Sequence, residues 1–179
     1  MMTTPIEAAR KGNADAFARL YDEHHLPLFR FAWRLTGSIA DAEDIVQECF
    51  LALLRPDCSY DAARTPLRTY LFGAVRNQAL KRFRSREDAA DPPSVCDRRS
   101  PESEALQVET ANIVAAAIRA LPDLQREVLI LAHYEQLTLA EIAAVFEIEV
   151  TAVKSRLQRA RATLREALAE HAGRTHERH

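Results

Sequence analysis

The chain has 179 residues, 47% of them hydrophobic, and 24 Lys and Arg against 26 Asp and Glu leave a formal net charge of −2. That length suits one domain or two small ones, and no apolar run is long enough to span a bilayer. The N-terminus, MMTTPIEAARKGNADAF, lacks an apolar signal core, so a cytoplasmic protein with no membrane insertion is expected.

Helix signals dominate along the chain, and no segment sustains strand alternation. Gly12-Asn13 precedes a helix through AFARLYDEHH, and a second, LPLFRFAWRLT, stops at Gly37, a natural C-terminal glycine. Ser38 to Asp41 opens a third, ADAEDIVQECFLALL, with Pro56 just past its end. Its Ile45, Cys49, Phe50 and Leu53 share one face, while Asp41, Glu43, Asp44 and Glu48 cluster with no basic residue between them. Carboxylates in a first turn favour the helix dipole. Four in eight residues exceed that need and predict an acidic protein-docking surface. After the loop RPDCSYDAAR, Thr65 followed by Pro66 predicts a capped start for PLRTYLFGAVRNQALKRFR. That helix carries Arg76, Lys81, Arg82, Arg84 and Arg86, interleaved with Asn77, Gln78 and Phe83, a mixture suited to unpaired nucleic acid.

The composition then changes. SREDAADPPSVCDRRSPESE is polar, proline-bearing and nearly free of large apolar residues, so it cannot bury a core and predicts a flexible tether. Past it come a helix over about 104–120, then DLQREVLILAHY after Pro122, then LAEIAAVF behind the capping-box pattern Thr138-Leu-Ala-Glu141. A short turn at Glu147 to Glu149 leads into a last helix from about Val150 to Glu170. At 100° per residue, Val153, Leu157, Ala160 and Leu164 fall within roughly 60° and form the inward face. Lys154, Gln158, Arg161 and Arg165 lie on one exposed side, with Ser155 and Arg159 further round. Helix, short turn and basic amphipathic helix make a helix-turn-helix, whose second helix fits the major groove of DNA. The fold class expected is therefore all-α: two small helical domains on a flexible linker, the C-terminal one a helix-turn-helix. The boundaries are 1–86, a linker at 87–103, 104–172, and a tail at 173–179.

Chemistry of other kinds has little footing. Cys49, Cys58 and Cys96 are odd in number and show no CxxC or Cys/His spacing, against a disulfide framework or a zinc site. His24, His25, His171, His176 and His179 form no ligand set. With no nucleophile–base pair and no phosphate loop either, no cofactor is expected and the chain reads as a binding protein, not an enzyme.

Two long stretches resemble a known family. AFARLYDEHH, RLTGSIADAEDIVQECFLALL and TPLRTYLFGAVRN are similar to the second conserved region of the extracytoplasmic-function (ECF) sigma factors, small members of the sigma-70 family. ALPDLQREVLILAHYEQLTLAEIAAVFEIEVTAVKSRLQRARATLREAL resembles their fourth region. The resemblance covers about 14–168 apart from the linker. It implies a subunit that directs bacterial RNA polymerase core to promoters and is held inactive by an anti-sigma protein. The helix bearing Asp44, Gln47 and Glu48 would dock on core. The loop from about Arg55 to Arg64, with Tyr60, and the helix with Arg76, Asn77 and Lys81 would open and read the minus-ten element. Lys154, Ser155, Gln158 and Arg159 would read the minus-thirty-five element. The chain departs from the family pattern at Tyr70, where Trp is usual, and at Thr151-Ala152, where Gly-Thr is usual. The residues alone leave a second reading open, an autonomous dimeric helix-turn-helix regulator.

Overall fold

A computed structural model of the protein describes residues 4–88 and 105–176. Among them all regular structure is helical, in the order α1 (Pro5–Arg10), α2 (Ala14–Thr36), α3 (Ile39–Leu54), α4 (Leu67–Asp88), α5 (Ala105–Arg119), α6 (Asp123–His133), α7 (Leu139–Phe146) and α8 (Val150–His176). Two compact units result: one holds α1 to α4, the other holds α5, α6, α8 and α7 through Ala143. Most of the expected linker, residues 89–103, lies outside the described residues.

In the first unit, side chains set the helix ends. Asn13 accepts a hydrogen bond from the Ala16 N–H at 2.9 Å and starts α2. Gly37, at φ 71°, ends that helix by donating its N–H to the Trp33 carbonyl at 2.8 Å. Ser38 Oγ then accepts from the Asp41 N–H at 3.2 Å to open α3. The expected break between two helices at His25-Leu26 does not occur; α2 runs for 23 residues through it and through Pro27. Proline removes the hydrogen bond to the Glu23 carbonyl and costs about 3 kcal/mol inside a helix. Packing offsets that cost. Leu20 lies before the proline, Leu28, Phe31, Ala32 and Leu35 after it, and all are buried. A column of rings at i,i+4 spacing, Phe17, Tyr21, His25 and Phe29, also runs past it. The core is completed by Ile45, Val46, Cys49, Phe50 and Leu53 of α3 and by Phe72, Val75 and Ala79 of α4. Burial, helped by the charge of Glu48, pushes the Cys49 thiol up to about 12, so it behaves as a small apolar core group. The short α1, unforeseen from the sequence, has its own capping box: Thr4 N–H donates to Glu7 Oε2 at 2.9 Å and Glu7 N–H to Thr4 Oγ1 at 3.4 Å. It is tied down where Arg10 Nε donates to the Leu53 carbonyl at the end of α3, at 3.0 Å.

In the second unit, α8 packs on α6 and α5. Val128, Ile130 and Leu131 of α6 meet a core that also buries Ile142, Val153, Leu157 and Ala160. The α7 capping box forms as the sequence predicts, with Thr138 N–H donating to Glu141 Oε2 at 2.7 Å and Glu141 N–H to Thr138 Oγ1 at 3.2 Å. Helix α7 ends in a left-handed turn, where Glu147 takes φ 54° and the Ile148 N–H reaches the Ala143 carbonyl at 3.0 Å. An L-residue pays about 1 kcal/mol in that conformation. Glu147→Gly should therefore raise the stability of this unit by about 0.5 kcal/mol, the remainder being offset by glycine's extra freedom when unfolded. Thermal melting of the two chains checks it. The last helix extends to His176, so residues 173–176 of the expected tail are helical. In the same way α4 continues to Asp88, two residues past the expected domain end.

Candidate functional site

Helix α3 buries one side and presents the other. Ala42, Ile45, Val46, Cys49, Phe50 and Leu53 are buried, whereas Glu43, Asp44, Gln47 and Glu48 are exposed. Asp44, Gln47 and Glu48 thus fall together on one solvent face. Leu51, 55% exposed, extends that face at i+7 from Asp44 and adds an apolar side chain to it that the sequence reading missed. Its signal was there: an apolar residue one turn on from Gln47, outside the buried arc.

The acid cluster is not uniform, however. Asp41 belongs to the interior: its side chain is 12% exposed and its Oδ1 lies 3.2 Å from Arg82 Nη1. The same guanidinium reaches Asp44 Oδ2 at 3.5 Å and Glu48 Oε1 at 3.1 Å. Burial alone would lower the Arg82 pKa, but Glu48, Asp41 and Asp44 together outweigh it and raise it. Arg82 therefore stays charged and spans α3 and α4. Sequence reasoning had placed it with the nucleic-acid residues of α4, and the structure turns it to the acids instead.

What remains exposed on α4 is narrower. Asn77, Lys81 and Arg84 are exposed and fall within about 60° of one another on the helix, whereas Arg76 is half-buried. The loop before α4 is closed by Asp61, whose Oδ1 accepts from Ala63 N–H at 2.9 Å and whose carbonyl accepts from the Arg64 and Thr65 N–H groups. Tyr60 packs its ring on Tyr70 with centroids 5.0 Å apart, and the Tyr70 hydroxyl lies 3.4 Å from Cys58 Sγ. Burial and the Cys58 contact raise the Tyr70 pKa, so the phenol stays neutral. Tyr70 thus anchors the loop and leaves Tyr60 half-exposed over it.

On α8, Lys154, Ser155, Gln158 and Arg159 are all exposed, as are Arg161 and Arg165. Lys154, Gln158, Arg161 and Arg165 line a shallow cleft of about 350 Å³ with Leu139 and Leu157. Arg161 Nη2 lies 3.3 Å from His133 Nε2 of α6. The carboxylates of Glu147 and Glu149 stand exposed at the entry to this helix. Basic and amide side chains on the exposed arc of a helix-turn-helix second helix are the groups that hold phosphates and pair with purine edges. Among the described residues, no helix is long and apolar enough to cross a membrane.

Comparison with known proteins places both units in one class. Residues 20–88 match the family described as Sigma-70 region 2, and residues 111–164 match Sigma-70, region 4. These are the two regions of a sigma-70-type transcription initiation factor. The chain is 30% identical to the ECF RNA polymerase sigma factor SigW of Bacillus subtilis (strain 168), over 94% of this chain and 97% of that protein. Among solved structures, it resembles CnrH in complex with the cytosolic domain of CnrY, with a TM-score of 0.70 and 30% identity over 93% of this chain and 96% of that one. It also resembles the sigma factor RpoE of Bartonella quintana in complex with the anti-sigma factor NepR, with a TM-score of 0.63 and 28% identity over 79% and 89% of the two chains. The chain belongs to the ECF RNA polymerase sigma factors.

Proposed function

We propose that the chain acts in the cytoplasm, carrying bacterial core RNA polymerase to promoters with two elements, and that each of its exposed faces has one task. Asp44, Gln47, Glu48 and Leu51 of α3 dock on core. Asn77 and Lys81 of α4, with Arg76 beside them, hold the opened minus-ten strand, and Tyr60 offers a ring on which an unpaired base stacks. Lys154, Ser155, Gln158 and Arg159 of α8 engage the minus-thirty-five element in the major groove. An anti-sigma protein covers these faces and keeps the chain from core; the similar RpoE of Bartonella quintana is in complex with one, NepR. No cofactor enters this scheme, and the role is that of a specificity subunit, not an enzyme.

The observation that carries the reading is the segregation of charge in a chain whose net charge is only −2. An exposed acidic and apolar face on α3 is distinct from an exposed basic arc on α8, where all four minus-thirty-five candidates are exposed. Gel-shift assays on promoter DNA with and without core polymerase test it. A specific shift that requires core is expected, and tight sequence-specific binding by the chain alone would favour the autonomous regulator instead. Within the same assay, Arg159→Ala should weaken use of the upstream element by about 1–3 kcal/mol if the guanidinium pairs with a base. Unchanged preference between wild-type and altered upstream elements would remove Arg159 from that role.

A further inference from the structure

We infer that Arg82 is a positioning residue for the polymerase-docking face, holding the carboxylates of Asp44 and Glu48 ready for a cationic partner surface. This rests on the reading that the α3 face docks on core, and it removes Arg82 from the DNA-facing stripe of α4. The geometry supports it at three points. Arg82 lies about 100° round the helix from Lys81 and so leaves the stripe of Asn77, Lys81 and Arg84. Its Nη1 is anchored on the inner carboxylate, Asp41 Oδ1 at 3.2 Å, where the Asp41 side chain is 12% exposed. From that anchor the guanidinium extends to two outer carboxylates: Nη1 to Asp44 Oδ2 at 3.5 Å and Nη2 to Glu48 Oε1 at 3.1 Å, with side chains 63% and 49% exposed.

One cation among three carboxylates leaves a net charge of −2 in the cluster, so the face still attracts a basic partner. Asp44 and Glu48 are four residues apart on one helix face, and without a shared cation they would repel each other. The planar fork of arginine holds both in fixed positions, which a single ammonium cannot do while also reaching Asp41. A docking face with its acids already placed loses less side-chain freedom on binding, and ordering each such side chain costs about 0.5–1.5 kcal/mol.

Arg82→Lys in the full chain is the direct test, because it keeps the charge and removes the fork. Binding to purified core polymerase is measured by competition, beside thermal melting and minus-ten DNA opening by saturated holoenzyme. The measurements are made at a temperature where every variant is folded. The dissociation constant for core should rise about three- to tenfold, with DNA opening at saturation unchanged. Asp41→Asn, which loosens the inner anchor and leaves the outer acids in place, should shift core affinity in the same direction. Glu48→Gln should cost less core affinity in the Arg82→Lys background than in the wild type, a coupling that a purely structural role would not produce. Wild-type core affinity in Arg82→Lys and Asp41→Asn, additive effects of Arg82→Lys and Glu48→Gln, or a defect confined to DNA opening would each overturn the inference. If Glu48→Gln has no effect on core affinity in the wild type, the docking face itself is wrong, and the inference falls with it.

Discussion

Glu48→Lys should lower the affinity of the chain for core RNA polymerase by roughly a hundredfold or more while leaving both units folded. The Glu48 side chain is 49% exposed and pairs with Arg82 at 3.1 Å. A partly exposed ion pair of that kind contributes at most about 1 kcal/mol to folding, and a lysine there has room to turn into solvent. The proposed docking face should behave differently. Its remaining charge comes from Asp44 and Glu48, and reversing one of them replaces an attraction by a like-charge contact at the interface. Such juxtapositions cost several kcal/mol, and about 3 kcal/mol is already a factor of roughly a hundred. Glu48→Gln, which only removes the charge, should fall between the two. Core affinity by competition, with a melting curve for each variant, decides the matter; a folded Glu48→Lys chain that binds core like the wild type would contradict the proposed face.

Phe31→Ala should have the largest effect on stability, and it should be confined to the first unit. Phe31 is 0% exposed and meets Phe72 of α4 edge to face, with centroids 5.4 Å apart. The contact therefore joins α2 to α4 at the centre of the core. Removing a buried phenyl ring costs about 3–5 kcal/mol through lost transfer energy and the cavity left behind. For a unit of this size, that lowers the melting temperature by at least about 12 °C. The chain contains one tryptophan, Trp33, on the same helix, so fluorescence excited at 295 nm follows this unit alone. The Trp33 transition should move down sharply, while a chemical shift or exchange signal from α6 or α8 keeps its wild-type midpoint. An unmoved Trp33 transition would show that the α2–α4 contact is not central to the core.

Helix ends were legible in the sequence because they depend on residues close in the chain. Asn13, Gly37, Ser38 and the Thr138–Glu141 box all act across three or four residues, and each performs in the structure the task its side chain predicts. The exposed arc of α8 was legible for a related reason: 100° per residue fixes which side chains share a face once Val153, Leu157 and Ala160 are assigned inward. The misses have physical causes too. Helix α1 carries the same capping grammar, Thr4-Pro5-Ile6-Glu7, but six residues give too few turns for periodicity to register. The expected split of α2 between His25 and Leu26 fails because Leu20 and Leu28 bury into one core on either side of it, which local propensity does not register. Arg82 was placed with the wrong partners because its three carboxylates lie 41, 38 and 34 residues away. Periodicity says which face a residue occupies and not what that face meets. Tyr70 shows the limit in another way: its departure from the family's tryptophan still leaves a ring that packs on Tyr60 and a hydroxyl that reaches Cys58.

This chain confers promoter choice on core polymerase, and in vitro transcription reads that role out in one step. Purified core from the source bacterium, supplemented with the full chain, is offered a pool of genomic promoter fragments, and the transcripts are sequenced. Transcripts should start only when the chain is present, from promoters sharing one upstream and one downstream element, and should be lost with Glu48→Lys. Transcription that is the same with and without the chain, across the whole pool, would contradict it.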